Sequence, residues 1–264
     1  MSTDVDALSN SWTTMTYDKP YDQFLLFGDS ITEQADCQDR GFAFAAALQD
    51  VYIRRLDVIN RGFSGYTTRN ALKVLPRFMP SPLQATVRLM MIFFGANDAC
   101  LPGQSQHVPL DAYCKCLKLL CLHPSVTSHN PSIILVTPAP VDEYQMMVSD
   151  ALKGYTTPQR TAANTKMYAD ACRGIGEELN LPVVDLWAAF MSKAGWKEGE
   201  PLIGSMDVAR NEVLQNLLRD GLHFNPEGYR LMYDEVMKVI RERIPDQSPE
   251  RLPFVYPPWR LAPA

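Results

Sequence analysis

The sequence predicts an α/β protein in which a parallel central sheet lies between two layers of helices. Two patterns indicate this three-layer α/β/α fold. The candidate strands are short and apolar along their whole length, as strands of a parallel sheet are when helices cover both faces. The segments between them repeat apolar residues every three or four positions, which is typical of helices with one buried face. Strands that alternate with such helices favour a doubly wound sheet.

The candidate strands are bounded by glycine, proline or polar residues. The first strand ends at Gly28, and the third, which is the most hydrophobic, runs directly into Gly95. Short apolar runs with such ends indicate buried strands. The five predicted strands span residues 23–27, 56–60, 87–94, 132–137 and 182–186.

Helical periodicity is clearest near the end of the chain. A helix that begins at Pro226 places Tyr229, Met232, Val236 and Ile240 on one face. The helix predicted over residues 158–178 begins with Pro158, and proline is common at the first helical position. Two segments, 138–157 and 194–211, have a course that the pattern does not predict. The other predicted helices span residues 41–55, 68–79 and 110–122.

The length of 264 residues is that of one large α/β domain. We expect an N-terminal extension over residues 1–20, the domain over 21–244 and a proline-rich tail over 245–264. The prolines of the tail exclude an interior helix or a central strand. Its aromatic residues indicate that it packs on its own domain or on a partner subunit. Whether it narrows a substrate entrance stays open, and a homodimer is not excluded.

Composition and charge exclude several classes of protein. A net charge of −5 without a basic block is atypical of nucleic-acid or anionic-membrane binding. The strongly apolar run at residues 89–94 is far too short for a membrane span. No secretory signal is present, although a mature fragment of a precursor would look the same. Six thinly spread cysteines favour free thiols in a reducing compartment, so the sequence predicts a cytoplasmic protein.

One group of cysteines invites an interpretation as a metal site. Cys114, Cys116 and Cys121 lie within one apolar segment that has helical periodicity. No second set of ligands accompanies them, and cysteine is a common small buried residue. We therefore expect a structural role and no metal.

Four short polar sequences follow predicted strands or precede the last helix. They span residues 28–30, 60–65, 95–98 and 220–223. The carboxyl ends of neighbouring parallel strands converge in space, and sites of doubly wound sheets form there. We expect the four sequences to meet at one site.

The residue types in these sequences are those of an acyl-transfer site. Ser30 begins a helix after a strand, which exposes its hydroxyl near the positive end of the helix. A serine becomes a strong nucleophile only with a base in reach, and His223 is the best candidate. Asp220, three residues earlier, can hold one ring nitrogen while the other faces Ser30, as in a catalytic triad.

An oxyanion would need preorganised hydrogen-bond donors. We predict three: the backbone N–H of Ser30, the backbone N–H of Gly65 and the side-chain amide of Asn97. Taken singly, each of these sequences is more often an ordinary turn. Their joint occurrence favours the catalytic interpretation.

Other polar residues receive structural interpretations. Asp29 and Asp98 are expected to organise loops, because aspartate commonly caps turns. Three histidines, His107, His123 and His129, have no carboxylate three residues earlier and are expected to be ordinary.

The segment 62–65, Gly-Phe-Ser-Gly, superficially resembles a nucleophile elbow. The elbow requires G-x-S-x-G, and here the second glycine comes one residue early. An ordinary α/β-hydrolase is therefore not expected.

The four sequences together resemble the blocks of the SGNH (GDSL) hydrolase family, which supply Ser, Gly, Asn and His. Residues 28–32 match the first block, with isoleucine where leucine is commoner; residues 60–67, 95–98 and 220–223 match the others. The resemblance implies a flavodoxin-like fold, and ester hydrolysis without metal or cofactor. It assigns Ser30, Asp220 and His223 to the triad and Ser30, Gly65 and Asn97 to the oxyanion hole.

A narrower resemblance is to the isoamyl acetate-hydrolysing esterases, over residues 24–33, 61–76, 94–100 and 220–229. It implies a small-molecule ester substrate, with acetate as the acyl group and a small apolar alcohol. Three alternatives stay open. The first two are an acyl-lipid hydrolase or thioesterase and a carbohydrate O-deacetylase of the same family. The third is a non-catalytic flavodoxin-like binding module.

Overall fold

A computed structural model describes residues 21–262, and the expected N-terminal extension, residues 1–20, lies outside that range. The described part contains one five-stranded sheet with the order β2-β1-β3-β4-β5, and every pair of neighbouring strands is parallel. The strands are β1 (Gln23–Gly28), β2 (Asp57–Gly62), β3 (Val87–Phe93), β4 (Ser132–Val136) and β5 (Val183–Val184).

Helices cover both faces of the sheet, which confirms the predicted three-layer fold. On one face lie α2, α8 and α10, and on the other lie α3, α4 and α7. Within residues 21–262, no helix has both the length and the apolar character needed to cross a membrane. The helices are α1 (Ser30–Glu33), α2 (Phe44–Val51), α3 (Thr68–Phe78), α4 (Leu110–Cys121), α5 (Pro124–Thr127), α6 (Glu143–Leu152), α7 (Ala162–Glu178), α8 (Leu186–Lys193), α9 (Glu212–Leu217) and α10 (Pro226–Arg243).

Alternating side chains of the central strands divide between two hydrophobic cores. Phe24 and Leu26 of β1 pack in the core beneath α2, α8 and α10, whereas Leu25 and Phe27 pack in the core beneath α3, α4 and α7. These side chains are almost fully buried. Burial on both faces explains why residues 24–27 of β1 are all apolar, rather than every second one.

Two predicted elements differ from the structure near β5. The helix predicted over 158–178 begins only at Ala162, because the side chain of Thr161 accepts a hydrogen bond from the Asn164 N–H and caps it there. Pro158 therefore lies outside the helix. The strand predicted over 182–186 is reduced to Val183–Val184, since Asp185 caps α8.

The helix predicted over residues 41–55 is also too long, since α2 spans only Phe44–Val51. Gly41 has a φ of +119° and Arg54 a φ of +62°, and neither conformation continues a helix.

Four helices were not predicted: α5, α6, α8 and α9. The short helix α5 begins after His123, whereas each of the other three begins after an Asp or Asn whose side chain accepts a hydrogen bond from a backbone N–H three residues later. These caps are Asp142, Asp185 and Asn211. Such a capping residue before an apolar run is the signal that could have located the helices.

The proline-rich tail packs on its own domain. Arg54 donates hydrogen bonds to the carbonyl oxygens of Tyr256 and Pro257, at 2.9 and 2.8 Å, and the Val255 N–H donates to the Arg54 oxygen. Arg54 and Arg55 also lie over the ring of Phe254. Because these arginines precede β2, the tail lies near the amino ends of the strands.

All six cysteines lie in the described part of the chain and are unpaired. Cys114, Cys116 and Cys121 lie on α4, where Cys121 is buried in the hydrophobic core. Burial raises the pKa of the Cys121 thiol to about 12. These contacts agree with the structural role expected for the group.

Candidate active site

Ser30 lies at the carboxyl end of β1, on the central part of the sheet. The strand ends at Gly28, and Asp29 Oδ1 accepts a hydrogen bond from the Ile31 N–H at 2.9 Å, which starts α1 at Ser30. The Ser30 N–H is at the first position of this helix and has no intrahelical acceptor. The side chain of Ser30 lines a cavity of about 320 Å³.

His223 and Asp220 complete a chain of hydrogen bonds to Ser30. Ser30 Oγ lies 2.9 Å from His223 Nε2. The other ring nitrogen, Nδ1, lies 2.8 Å from Asp220 Oδ2 and 3.1 Å from Oδ1. The structure thus brings together three residues separated by up to 193 positions, in the order that the sequence predicted.

The loop 220–223 is shaped by its own backbone and by α6. Asp220 Oδ1 accepts hydrogen bonds from the N–H groups of Leu222 and His223, which hold the carboxylate beneath the imidazole. Gly221 has a φ of +84° and lies against the carbonyl oxygen of Asp142, so any Cβ at this position would clash. The turn therefore requires glycine.

Burial acts on the pKa of Asp220 in the opposite direction to charge and hydrogen bonding. Burial by itself would raise its pKa, but the hydrogen bonds and charge of His223 outweigh burial and hold the pKa well below its ordinary value. The carboxylate is therefore ionised at neutral pH and can stabilise a positive charge on the imidazole.

Gly65 and Asn97 line the same cavity as Ser30 and His223. Asn97 Nδ2 donates to the Tyr66 carbonyl oxygen at 3.0 Å, and its Oδ1 accepts from Arg160 Nη2 at 2.9 Å. Because Arg160 can only donate, these contacts define which end of the amide is nitrogen. An amide nitrogen carries two N–H bonds, so one remains for a ligand.

Arg160 and Gln106 support two of the three predicted oxyanion donors, Asn97 and Gly65, and the sequence reasoning missed both supporting residues. Arg160 is buried and donates to the Ala96 oxygen at 2.6 Å and to Gln106 Oε1 at 3.3 Å. Gln106 Nε2 in turn donates to the Gly65 oxygen at 2.7 Å. Neither residue stands in a motif, and only the fold shows that each of them lies beside the cavity.

Asp29 and Asp98 organise the loops, as expected. Besides the contact of Asp29 with α1, Asp98 accepts hydrogen bonds from the backbone N–H and the hydroxyl of Thr68 at the start of α3. Burial raises the pKa of Asp29 to about 7 and that of Asp98 to about 6. Neither carboxylate lines the cavity.

The three remaining histidines bind backbone groups away from the cavity. His107 contacts the Cys100 oxygen, and His123 accepts from the Ser125 N–H at the start of α5. His129 bridges the N–H of Val87 and the oxygen of Pro80. None of these histidines lines the cavity, in agreement with their expected ordinary role.

Comparisons with known proteins identify the family. Residues 26–231 match the model of the GDSL-like lipase/acylhydrolase family. A GDSL esterase/lipase of Arabidopsis thaliana is 36% identical over 89% of this chain and 91% of its own length. The isoamyl acetate-hydrolyzing esterase of Saccharomyces cerevisiae is 34% identical over 91% of this chain and 94% of its own length.

A solved structure shares the fold as well. The lipase/acylhydrolase from Enterococcus faecalis superposes with a TM-score of 0.58 and 26% identity, over 84% of this chain and 96% of that one. With these relatives, the alternative of a non-catalytic binding module is wrong, and the resemblance inferred from the sequence is confirmed. The chain belongs to the GDSL-like lipase/acylhydrolase family and is an ester hydrolase.

Proposed function

We propose that this esterase hydrolyses short-chain esters, with acetate as the acyl group, of small apolar alcohols such as isoamyl alcohol. Ser30 is the nucleophile, His223 the general base and acid, and Asp220 the carboxylate that orients His223. The observation that carries the proposal is the continuous hydrogen-bond chain from Asp220 through His223 to Ser30, which ends in the cavity lined by Gly65 and Asn97.

In the first half of the reaction, Ser30 Oγ attacks the ester carbonyl carbon while His223 Nε2 takes the hydroxyl proton. The carbonyl oxygen becomes an oxyanion, for which the N–H groups of Ser30 and Gly65 and the amide of Asn97 are the donors. When the tetrahedral species collapses, the bond to the alcohol oxygen breaks. His223 gives its proton to that oxygen, and the alcohol leaves.

In the second half, a water molecule attacks the acyl-Ser30 ester. His223 accepts a proton from the water, and the same three donors hold the second oxyanion. Collapse breaks the bond to Ser30 Oγ, which recovers its proton from His223. The net reaction converts an ester and water to a carboxylic acid and an alcohol.

The size of the cavity and the relatives support a small substrate. The cavity of about 320 Å³ is at the low end of the range of small-molecule sites and suits a compact acyl group. The yeast relative is named as an isoamyl acetate-hydrolyzing esterase, and its 34% identity extends over both chains almost completely.

The proposal is tested with p-nitrophenyl esters from acetate to palmitate, using Ser30→Ala as the control for chemistry. We expect kcat/KM to be highest for acetate or butyrate and to be lost in Ser30→Ala, while circular dichroism and thermal unfolding show a retained fold. Isoamyl acetate should then be hydrolysed to acetate and alcohol. Wild-type turnover in folded Ser30→Ala would contradict the assignment of the nucleophile.

The same series separates the alternative substrates. A maximum at long acyl chains would favour an acyl-lipid hydrolase or a thioesterase, and would retain the triad but reject acetate. Release of acetate from acetylated oligosaccharides, without hydrolysis of alkyl acetates, would favour a carbohydrate O-deacetylase.

A further inference from the structure

A second cavity, of about 520 Å³, adjoins the catalytic one. It lies between α6, the segment 155–161 and Met206. Asp150, Tyr155 and Arg160 line both cavities, so the two spaces share a wall of three side chains. Its volume is within the range of small-molecule sites.

The interior of this second cavity is predominantly apolar. Met146, Met147, Ala151, Pro158 and Met206 contribute to its lining. Methionine side chains adapt to irregular hydrocarbon groups, because they are unbranched and polarisable.

Two of the charged residues at the second cavity are already engaged. The Glu143 carboxylate accepts hydrogen bonds from the N–H groups of Ala162 and Met206, at 2.8 and 3.0 Å. Arg160 donates to the Ala96 oxygen and to Asn97. The third charged residue, Asp150, lies on the wall that is shared with the catalytic cavity, so the rest of the second cavity fits a hydrocarbon chain better than a charged ligand.

Part of the second cavity lies beside the loop that carries His223. Met146, which is buried, packs with Leu222, the residue before His223. Met146 also lies directly against Gly221. In the mechanism above, the alcohol oxygen receives its proton from His223 Nε2, so the alcohol part of the ester leaves the reaction centre on this side.

We infer that the second cavity binds the hydrocarbon chain of the alcohol, while the acetyl group occupies the catalytic cavity. This inference rests on the proposed function and extends it, because it assigns a separate site to the part of the substrate that determines specificity. Longer alcohols would be favoured over shorter ones, since a longer chain buries more apolar surface until the cavity is filled.

The test compares two ester series. In the first, the acyl group is acetate and the alcohol is lengthened from ethyl through butyl to hexyl. In the second, the alcohol is ethyl and the acyl group is lengthened from acetate to hexanoate. We expect kcat/KM to rise in the alcohol series by about fourfold per methylene, the gain that hydrocarbon burial provides. No comparable rise is expected in the acyl series.

Met147→Glu, on α6, and Met206→Glu, in the loop that follows α8, each place a charge at the lining of the second cavity. We expect each substitution to lower the hexyl-to-ethyl ratio of kcat/KM about tenfold or more. Met167→Glu is the matched control, because Met167 is a methionine of similar exposure, 49% against 53% for Met147, and lines neither cavity. The hexyl-to-ethyl ratio of kcat/KM for Met167→Glu should equal that of the wild type.

Two other outcomes would contradict the inference. A chain-length effect that appears in the acyl series and is abolished by Met147→Glu would overturn the assignment to the alcohol. An unchanged ratio in both cavity variants would overturn the inference while leaving the proposed function intact.

If the wild type hydrolyses no ester, the proposed function fails, and calorimetric titration of Ser30→Ala with hexyl acetate tests the cavity separately. Binding that Met147→Glu weakens and Met167→Glu does not would support the cavity assignment. Absence of binding would reject it.

Discussion

The two edges of the sheet are built from different interactions. At the carboxyl edge, side chains hydrogen-bond to one another across long sequence distances, as in Asp220–His223–Ser30 and Arg160–Asn97. At the amino edge, Arg54 and Arg55 hold the tail mainly through its backbone carbonyl oxygens. The first edge orients reactive groups, and the second fastens a chain end. Changes at the two edges should therefore affect different measurements.

The largest effect is expected from Asp220→Asn. An asparagine cannot stabilise the imidazolium, and its amide favours the wrong tautomer of His223, so kcat for p-nitrophenyl acetate should fall by about 10⁴-fold. The unfolding free energy should also decrease at neutral pH, because the lowered pKa of Asp220 means that its ionised carboxylate stabilises the folded state, so circular dichroism must show that the variant is folded. A loss of less than tenfold, measured by steady-state kinetics, would contradict the role of Asp220.

Loss of the Asn97 amide is expected to have the next largest effect. Asn97→Ala should lower kcat by about 100- to 1000-fold, because one oxyanion donor is removed. Arg160→Met should lower kcat about tenfold, by releasing the amide from a charge-assisted hydrogen bond.

A double-mutant cycle then tests whether Arg160 is a positioning residue that acts through Asn97. In the Asn97→Ala background, Arg160→Met should lower kcat for ethyl acetate less than twofold. A second full tenfold loss would show that Arg160 acts independently of Asn97.

Asp29 is at the catalytic edge, yet we expect it to affect stability more than chemistry. Its pKa is raised to about 7 by burial, so between about pH 4 and pH 7 the folded protein binds the proton more tightly than the unfolded chain. Stability should therefore fall as pH rises through this window. Asp29→Asn keeps an oxygen acceptor for Ile31 N–H and should reduce this dependence.

Urea unfolding at pH 4.5 and pH 8 measures the difference. At each pH, the free energy of unfolding of Asp29→Asn is compared with that of the wild type. This difference should favour the variant more at pH 8 than at pH 4.5. Asp234→Asn, at an exposed position of α10, is the control and should follow the wild type. An equal pH dependence in all three proteins would contradict the buried-carboxyl interpretation.

At the opposite edge, Arg54→Ala should lower the free energy of unfolding by about 1 kcal/mol and leave kcat unchanged. It removes two hydrogen bonds to the tail and a contact with the Phe254 ring. Lys73→Ala, at an exposed position within α3, is the matched control and should cost much less. Loss of esterase activity in Arg54→Ala would show that the two edges are coupled.

Local patterns were sufficient for most of the fold. Strands β1 to β4 and the helices α3, α4 and α10 agree with the predicted segments to within about two residues, because burial on both faces leaves a continuous apolar run and an amphipathic face leaves a period. The strand predicted around β5 was too long, because β5 contains only two residues and only Val184 is buried. The prediction missed α6, which lies in a segment with mixed polarity.

For the site, the motif residues Ser30, Gly65, Asn97, Asp220 and His223 carried their own signal. Each follows a strand or precedes a helix, with a residue type suited to one chemical task. Arg160 and Gln106 carried none, because a lone arginine or glutamine in a loop resembles any solvated residue. Their contacts with Asn97 and Gly65 span 63 and 41 positions and exist only after the loops have packed.

The amino-acid sequence alone thus predicted the sheet, most of its covering helices and the proposed reactive groups, since these depend on local periodicity and on side-chain chemistry. The distances among the reactive groups, the support of the oxyanion donors, the position of the tail and the second apolar cavity were decided by tertiary packing. These features depend on contacts between segments far apart in the chain, and no local pattern records how loops of variable course come to lie against one another.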